Sequence, residues 1–428
     1  MSDEMGFPRY RWFILILGWV LLSLTSYNNT MQNVRYDLLL PVAEGGLGLT
    51  TSQFYLCITA SSVMPIALAL ISGLLTDRIG VKRVILYGAM ITTAGALLRL
   101  ASTGFVDLFI YCVIMGAGLG TVGGNVPKLV GQWFHVRQIY LGIALFTTAL
   151  GIGPVLALAT GAMWPSYFTG FLVMGCALAV GCVVWAIWAK DRPKEYQQDG
   201  RPIVGVPFKE GLLTVIKSKY VWLIILAYAL ASGVITGYVG GMPLVLVEDR
   251  GVSSGLAGIV VSLGALGYVG GIVLWSWVAE KVGRMKPVFC TCAFLAGVGG
   301  FVTYMTAPGI GMWIVGLLPG LFNGAVTPLI FQMPLRLKGI GTRYAGSAMG
   351  IIASFGHIMS FIMLPFLFTP MWNGVGAFWA VLIFFVTLPV IAAILFALLP
   401  EVGRKYMEKV WAEALASAEA SPPASSSS

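Results

Sequence analysis

Thr121, Asn125, Lys128 and Gln132 fall at i, i+4, i+7 and i+11 of a stretch that is otherwise mainly apolar. Helical spacing puts all four on one face. One cation with hydroxyl and amide groups beside it is chemistry for holding an anion. Lys128 also reads as a side chain whose ammonium snorkels to an interface. A second stripe comprises Thr25, Asn28, Gln32 and Arg35, with Tyr27 and Asn29 alongside. Its amides suit either a ligand or a neighbouring helix. Arg35 suits a ligand, an interface, or a pairing with Asp37 or Glu44. Ser232, Thr236, Asn323 and Thr327 add short polar groups in apolar surroundings, and each alone reads as packing. His357, close to Ser354, suits a proton relay, a donor to an anion, or a bond between helices. Arg99 ends its apolar stretch and reads as a snorkelling anchor.

These residues make no nucleophile–base pair and no metal-ligand spacing, so no enzyme activity, cofactor or metal is expected. A phosphate-cradling loop ending in Gly-Lys-Ser/Thr is also absent. No Asp or Glu sits in the middle of an apolar stretch, whereas Lys128, Arg35 and Arg99 are candidate interior charges. An entering small anion would offset the cost of burying such a cation, so the expected ligand is anionic.

The elements holding these side chains follow from composition. The chain has 428 residues, 58% hydrophobic and only 10% charged, with a mean hydropathy of +0.88. Soluble domains carry about 25% charged residues. Crossing about 30 Å of hydrocarbon takes about 20 apolar residues, and about twelve such stretches lie between residues 12 and 399. They are Gly- and Ala-rich and lack the alternation of membrane strands. Helices satisfy their own backbone polar groups in lipid, so the expected class is an all-α membrane protein with twelve transmembrane helices.

The net charge of +9 does not imply nucleic acid. Of 26 Lys and Arg residues, 22 fall at the N-terminus, in alternate loops, or after the last apolar stretch. The positive-inside rule then expects both termini in the cytoplasm of a multi-pass inner-membrane protein. The first apolar stretch is too long for a cleaved signal and reads as a retained span. All six cysteines lie in or at the edge of spans and read as packing residues.

Internal repetition divides the chain. Gly73-Leu-Leu-Thr-Asp-Arg-Ile-Gly-Val-Lys-Arg83 returns, degraded, as Ser276-Trp-Val-Ala-Glu-Lys-Val-Gly-Arg-Met-Lys286. Asp77 and Glu280 are 203 positions apart. Glu44 and Glu248 mark a second echo, and Gly124-Asn-Val-Pro with Gly324-Ala-Val-Thr-Pro a third. The expected organisation is a six-helix half over 1–189, a loop over 190–219 with a short interfacial helix, a second half over 220–402, and a disordered tail over 403–428.

The first hairpin resembles the loop 2–3 signature of the major facilitator superfamily through Gly73, Leu75, Asp77, Arg78, Gly80, Lys82 and Arg83. Val81 departs from the basic residue usual there. Gly153-Pro154 resembles the family's span-5 motif, while Cys112 stands where its span-4 arginine is expected. The stretch Asn125–Phe134 looks most like the cyanate and nitroimidazole permease branch. The resemblance implies two pseudo-repeat halves around a cavity lined by spans 1, 4, 7 and 10. It also implies a gate latch of Gly73, Asp77, Arg78, Gly80, Lys82 and Arg83, echoed by Glu280 and Gly283. The expected function is proton-coupled transport of a small anion by alternating access, by a monomer in the lipid bilayer. Anion exchange, uniport, and proton-antiport efflux of a neutral or weakly basic compound are the alternatives.

Overall fold

The computed structural model describes residues 10–68, 75–76, 79–134, 142–143, 145–146, 148–191, 208–337, 340–403 and 405. Gly73, Asp77, Arg78 and the tail beyond 405 lie outside these residues. Every regular element among the described residues is helical. In the first half, α1 is Tyr10–Val34, α2 opens with Thr51–Ala60, α3 is Val81–Ala101 and α4 is Phe105–Val130. The half closes with α5, described over Ala149–Gly161, and α6, Tyr167–Trp188. The second half has α7 (Lys219–Glu248), α8 (Ser254–Val282), α9 (Lys286–Met305), α10 (Ile310–Pro334), α11 (Ala348–Val375) and α12 (Ala377–Ala397). Ten of these, all but α2 and α5, are long and apolar enough over described residues to cross a membrane. A short helix, Phe208–Ile216, lies in the connecting loop.

Local sequence explains several ends. Thr50 and Gln53 form a reciprocal capping box that starts α2. Ser166 and Ser253 cap α6 and α8 by accepting from backbone N–H groups. Gly283 ends α8 at φ +71°, a left-handed turn that favours glycine.

Lipid gives little hydrophobic drive between helices, so close backbone approach carries the packing. The α8–α10 pair shows it most clearly. A Cβ placed on Gly320 would lie 1.7 Å from the Gly264 carbonyl oxygen, and one on Gly271 2.1 Å from that of Leu321. The two halves touch in the same way, because a Cβ on Gly258 of α8 would meet the Leu158 carbonyl of α5 at 2.4 Å. Large apolar side chains such as Ile16, Val180, Val273 and Ile314 are exposed on the outside of the bundle. On a membrane-spanning bundle that surface faces acyl chains rather than water.

Basic residues mark one end of the bundle. Lys82, Arg83, Lys190, Lys217, Lys281 and Lys286 all stand at helix ends on this basic face. Asp37, Glu44, Glu248 and Asp249 stand at the opposite, far face.

Candidate functional site: a cavity between the halves

A cavity of about 540 Å³ lies between the halves, bounded by α1, α2, α4, α5, α7 and α11. From α1 come Asn29, Thr30 and Asn33, and from α2 come Thr59, Ser61 and Ser62. The second half contributes Thr236, Val239 and Gly240 of α7 with Ala353, His357 and Ser360 of α11. Among the described lining residues none is Lys, Arg, Asp or Glu, and His357 is the titratable one. Thr236 and Ser360 share a hydrogen bond of 3.2 Å that ties α7 to α11 at the wall. His357 makes no hydrogen bond with any described residue.

On the far side of the cavity the halves are joined by side chain-to-backbone bonds. Asn33 Nδ2 donates to the Val239 carbonyl at 3.2 Å. Tyr55 Oη donates to the Gly241 carbonyl at 3.0 Å. Both carbonyls belong to Gly237–Gly241, a π-helical turn inside α7. Such turns widen the helix and redirect its carbonyls. Two more π turns, Met363–Phe368 in α11 and Ile383–Thr387 in α12, pack against it. The glycines permit this: a Cβ on Gly237 would lie 2.3 Å from the Phe384 ring, and one on Gly241 2.8 Å from Leu364. Farther out, burial, with Glu248 facing it across the seam, pushes the Tyr36 phenol well above its ordinary range.

Of the residues the sequence pointed to, Asn29, Thr236 and His357 line this cavity. The others are placed elsewhere. Asn28 is buried and donates to the Leu24 and Met174 carbonyls, joining α1 to α6. Gln32 donates to the Cys57 carbonyl at 3.0 Å. Arg35 pairs with Asp37 and donates to the Gly161 and Trp164 carbonyls, so it staples the far face instead of facing the cavity. Thr121 donates to Ala117 O, and Asn125 donates to Thr121 O and accepts from Thr76. Lys128 is half-buried and outside the described lining. Ser232 donates within α7, Asn323 joins α10 to α7, and Thr327 joins α10 to Tyr268 of α8. In a dry bundle an amide or hydroxyl that reaches a nearby carbonyl is satisfied there, and most of these do.

The cavity's own polar groups were partly legible. Asn29 and Asn33 repeat at i, i+4 one position round α1 from the stripe of Asn28 and Gln32. Thr59-Ala-Ser-Ser62 is a polar run in the middle of an apolar span, ahead of Pro65.

At the basic face, Gly80 has φ +90° and leads into α3. Asp191, just past α6, accepts from Lys82 N at 3.0 Å, and Lys82 Nζ donates to the Ala186 carbonyl at 2.8 Å. The second half repeats this. Glu401, just past α12, accepts from Met285 N at 2.9 Å, and Lys286 Nζ donates to the Ala397 carbonyl at 2.8 Å. Gly283 packs against the Lys405 stem, while Arg83 and Glu280 are exposed. Each half thus caps its third helix with an acid from beyond its sixth. The sequence motif pointed to the acids of the hairpins and missed Asp191 and Glu401.

This architecture and the hairpin signature agree with the match to known families. The profile of the Major Facilitator Superfamily matches residues 13–364. The chain belongs to that superfamily. Its resemblance to individual members is modest. A hexuronate transporter of Bacillus subtilis (strain 168) is 23% identical over 381 residues, 83% of this chain and 89% of that protein. An agnestins efflux protein of Paecilomyces divaricatus is 24% identical across 69% of this chain and 66% of its own length. A probable sulfoacetate transporter of Cupriavidus necator is 23% identical, covering 85% of this chain and 92% of that protein. Among solved structures, a bacterial homologue of the human lysosomal transporter Spinster, inward-facing and occupied, superposes with a TM-score of 0.71. It covers 91% of this chain and 97% of that one at 13% identity, a likeness of fold alone. As a superfamily member with membrane-length helices, the protein is a multi-pass membrane transporter.

Proposed function

We propose that this protein carries a small organic acid, a carboxylate or sulfonate, across the inner membrane by alternating access. The supporting observation is the cavity between the halves, closed on its far side by Asn33 and Tyr55 and lined by short polar side chains around one histidine. A volume of about 540 Å³ is within the common range for small-molecule sites. Amides and hydroxyls can bond either a carboxylate or the hydroxyls beside it. Two relatives that cover most of the chain are named for acids, hexuronate and sulfoacetate. Lys and Arg at one end favour the orientation with both termini in the cytoplasm.

His357 is the group in the wall through which a proton can enter the cycle. A protonated imidazole donates to the acid, and a neutral one releases it. Asp191 and Glu401 hold the loops that must move when the halves rock, so they govern rate and not substrate choice.

The test is counterflow into proteoliposomes of purified protein, with and without a pH gradient. The probes are glucuronate, galacturonate, sulfoacetate, acetate, cyanate and a cationic dye. Saturable counterflow of at least one acid is expected, with the dye excluded. Uptake of the dye with no acid carried would replace this reading with drug efflux.

A further inference from the structure

The described cavity wall carries no fixed charge, yet a cation stands directly behind it. Arg99, at the far-face end of α3, is 0% exposed. It therefore does not snorkel to an interface, as its place in the sequence suggested. Its guanidinium lies 4.0 Å from the centre of the Phe171 ring. Nη1 faces Gln32 Oε1 at 3.4 Å and Nε faces the Ala96 carbonyl at 3.5 Å, both long contacts. Nη2 has no hydrogen-bond partner. No described carboxylate pairs with Arg99, since Asp37 at the same end is taken by Arg35. A buried guanidinium held this loosely is costly to keep.

Its position relative to the cavity gives it a use. Gln32 adjoins Asn33 in sequence and donates to the carbonyl of Cys57, which adjoins Ile58. Asn33 and Ile58 both line the cavity. Arg99 is thus one layer behind the wall made by α1 and α2, with Gln32 between. Cys112 of α4 donates to the same Gln32 Oε1 at 3.2 Å.

We propose that Arg99 selects the charge of the transported molecule. Its uncompensated cation, acting through Gln32 and the wall, makes an uncharged cavity favour an acid over a neutral molecule of the same shape. This rests on the reading that the cavity carries a small acid. Packed helices lie about 8–10 Å apart. Across about that distance, at an effective dielectric near 20, a unit charge changes an equilibrium roughly 15- to 30-fold. The acid gains this field without touching the guanidinium, whose desolvation was completed on folding. Arg99 is a positioning residue here, and Gln32 is held by it.

The experiment compares glucuronate with its neutral amide, glucuronamide, as competitors of counterflow in proteoliposomes. The proteins are wild type, Arg99→Lys, Arg99→Met, and the swap R99C/C112R, which moves the cation to the other neighbour of Gln32 at nearly constant volume. Size-exclusion profiles report folding. The wild type is expected to prefer the acid. Arg99→Met is expected to lower the acid-over-amide ratio about 15- to 30-fold while still binding the amide, and Arg99→Lys and the swap to keep it. A monodisperse Arg99→Met with the wild-type ratio overturns the proposal and leaves the acid-transport reading standing. If Arg99→Met does not fold, the swap decides, and a folded swap without acid preference overturns it. A wild type that binds neither probe, or binds both equally, overturns this proposal together with the reading beneath it.

Discussion

Replacing Tyr55 with Phe removes one oxygen atom from the seam between the halves. Tyr55 is 0% exposed, and its hydroxyl donates to the Gly241 carbonyl at 3.0 Å. The ring's edge contact with Phe368, at 6.4 Å between centroids, is kept in the variant. With the far side closed, the Gly241 carbonyl loses this donor in a dry place. With the far side open, water replaces the phenol. The penalty therefore falls on the closed state only, at about 1–2 kcal/mol for one buried hydrogen bond. That shifts the equilibrium toward the far-side-open state roughly 5- to 30-fold. The assay is double electron–electron resonance between spin labels at Val42 and Ser253, exposed far-face positions in the two halves. Cys176 and Cys290, the least buried cysteines, are first replaced by alanine. Tyr55→Phe is expected to add a longer distance at the expense of the short one. An unchanged distribution in monodisperse protein would refute the argument that this hydrogen bond holds the gate.

Three further outcomes follow from the geometry. Gly320→Ala is expected to lower the melting temperature in detergent, at an overpacking cost of about 1–3 kcal/mol, because its Cβ would lie 1.7 Å from Gly264 O. Gly270→Ala, with nothing within 4 Å, should leave it unchanged. Asp191→Ala and Glu401→Ala should each cost about 0.5–2 kcal/mol of helix capping and alter the exchange rate, with the half-saturating substrate concentration unmoved. Arg35→Ala should lower thermal stability with no change in substrate affinity, because its four bonds all go to the far-face loops. Loss of affinity as the main effect would return Arg35 to the binding site.

The spans and the two halves were legible because lipid imposes one simple demand, long apolar helices, on every segment. Repeats such as Asp77 and Glu280 then set the register of the halves. The site was less legible because a polar residue in a span has two ways to be satisfied. Asn28 and Asn33 look alike in sequence, five positions apart. Asn28 spends its amide on Met174 O inside the first half, whereas Asn33 reaches Val239 O across the cavity. Only the rotation of α1 separates them. Arg99 was misread for a related reason. An arginine at the end of a span snorkels when its helix faces lipid, but α3 turns this residue toward Phe171 and Gln32. Asp191 and Glu401 escaped notice because each acts on a helix far away in the sequence.

The proposed function requires a small acid to pass through this cavity. Glucuronate counterflow in proteoliposomes tests it most directly, comparing wild type with Ser62→Trp, which places an indole in the cavity from α2. Saturable counterflow in the wild type, lost in a variant that remains monodisperse, is the expected result. Equal counterflow in both proteins would mean that the acid does not pass through this cavity.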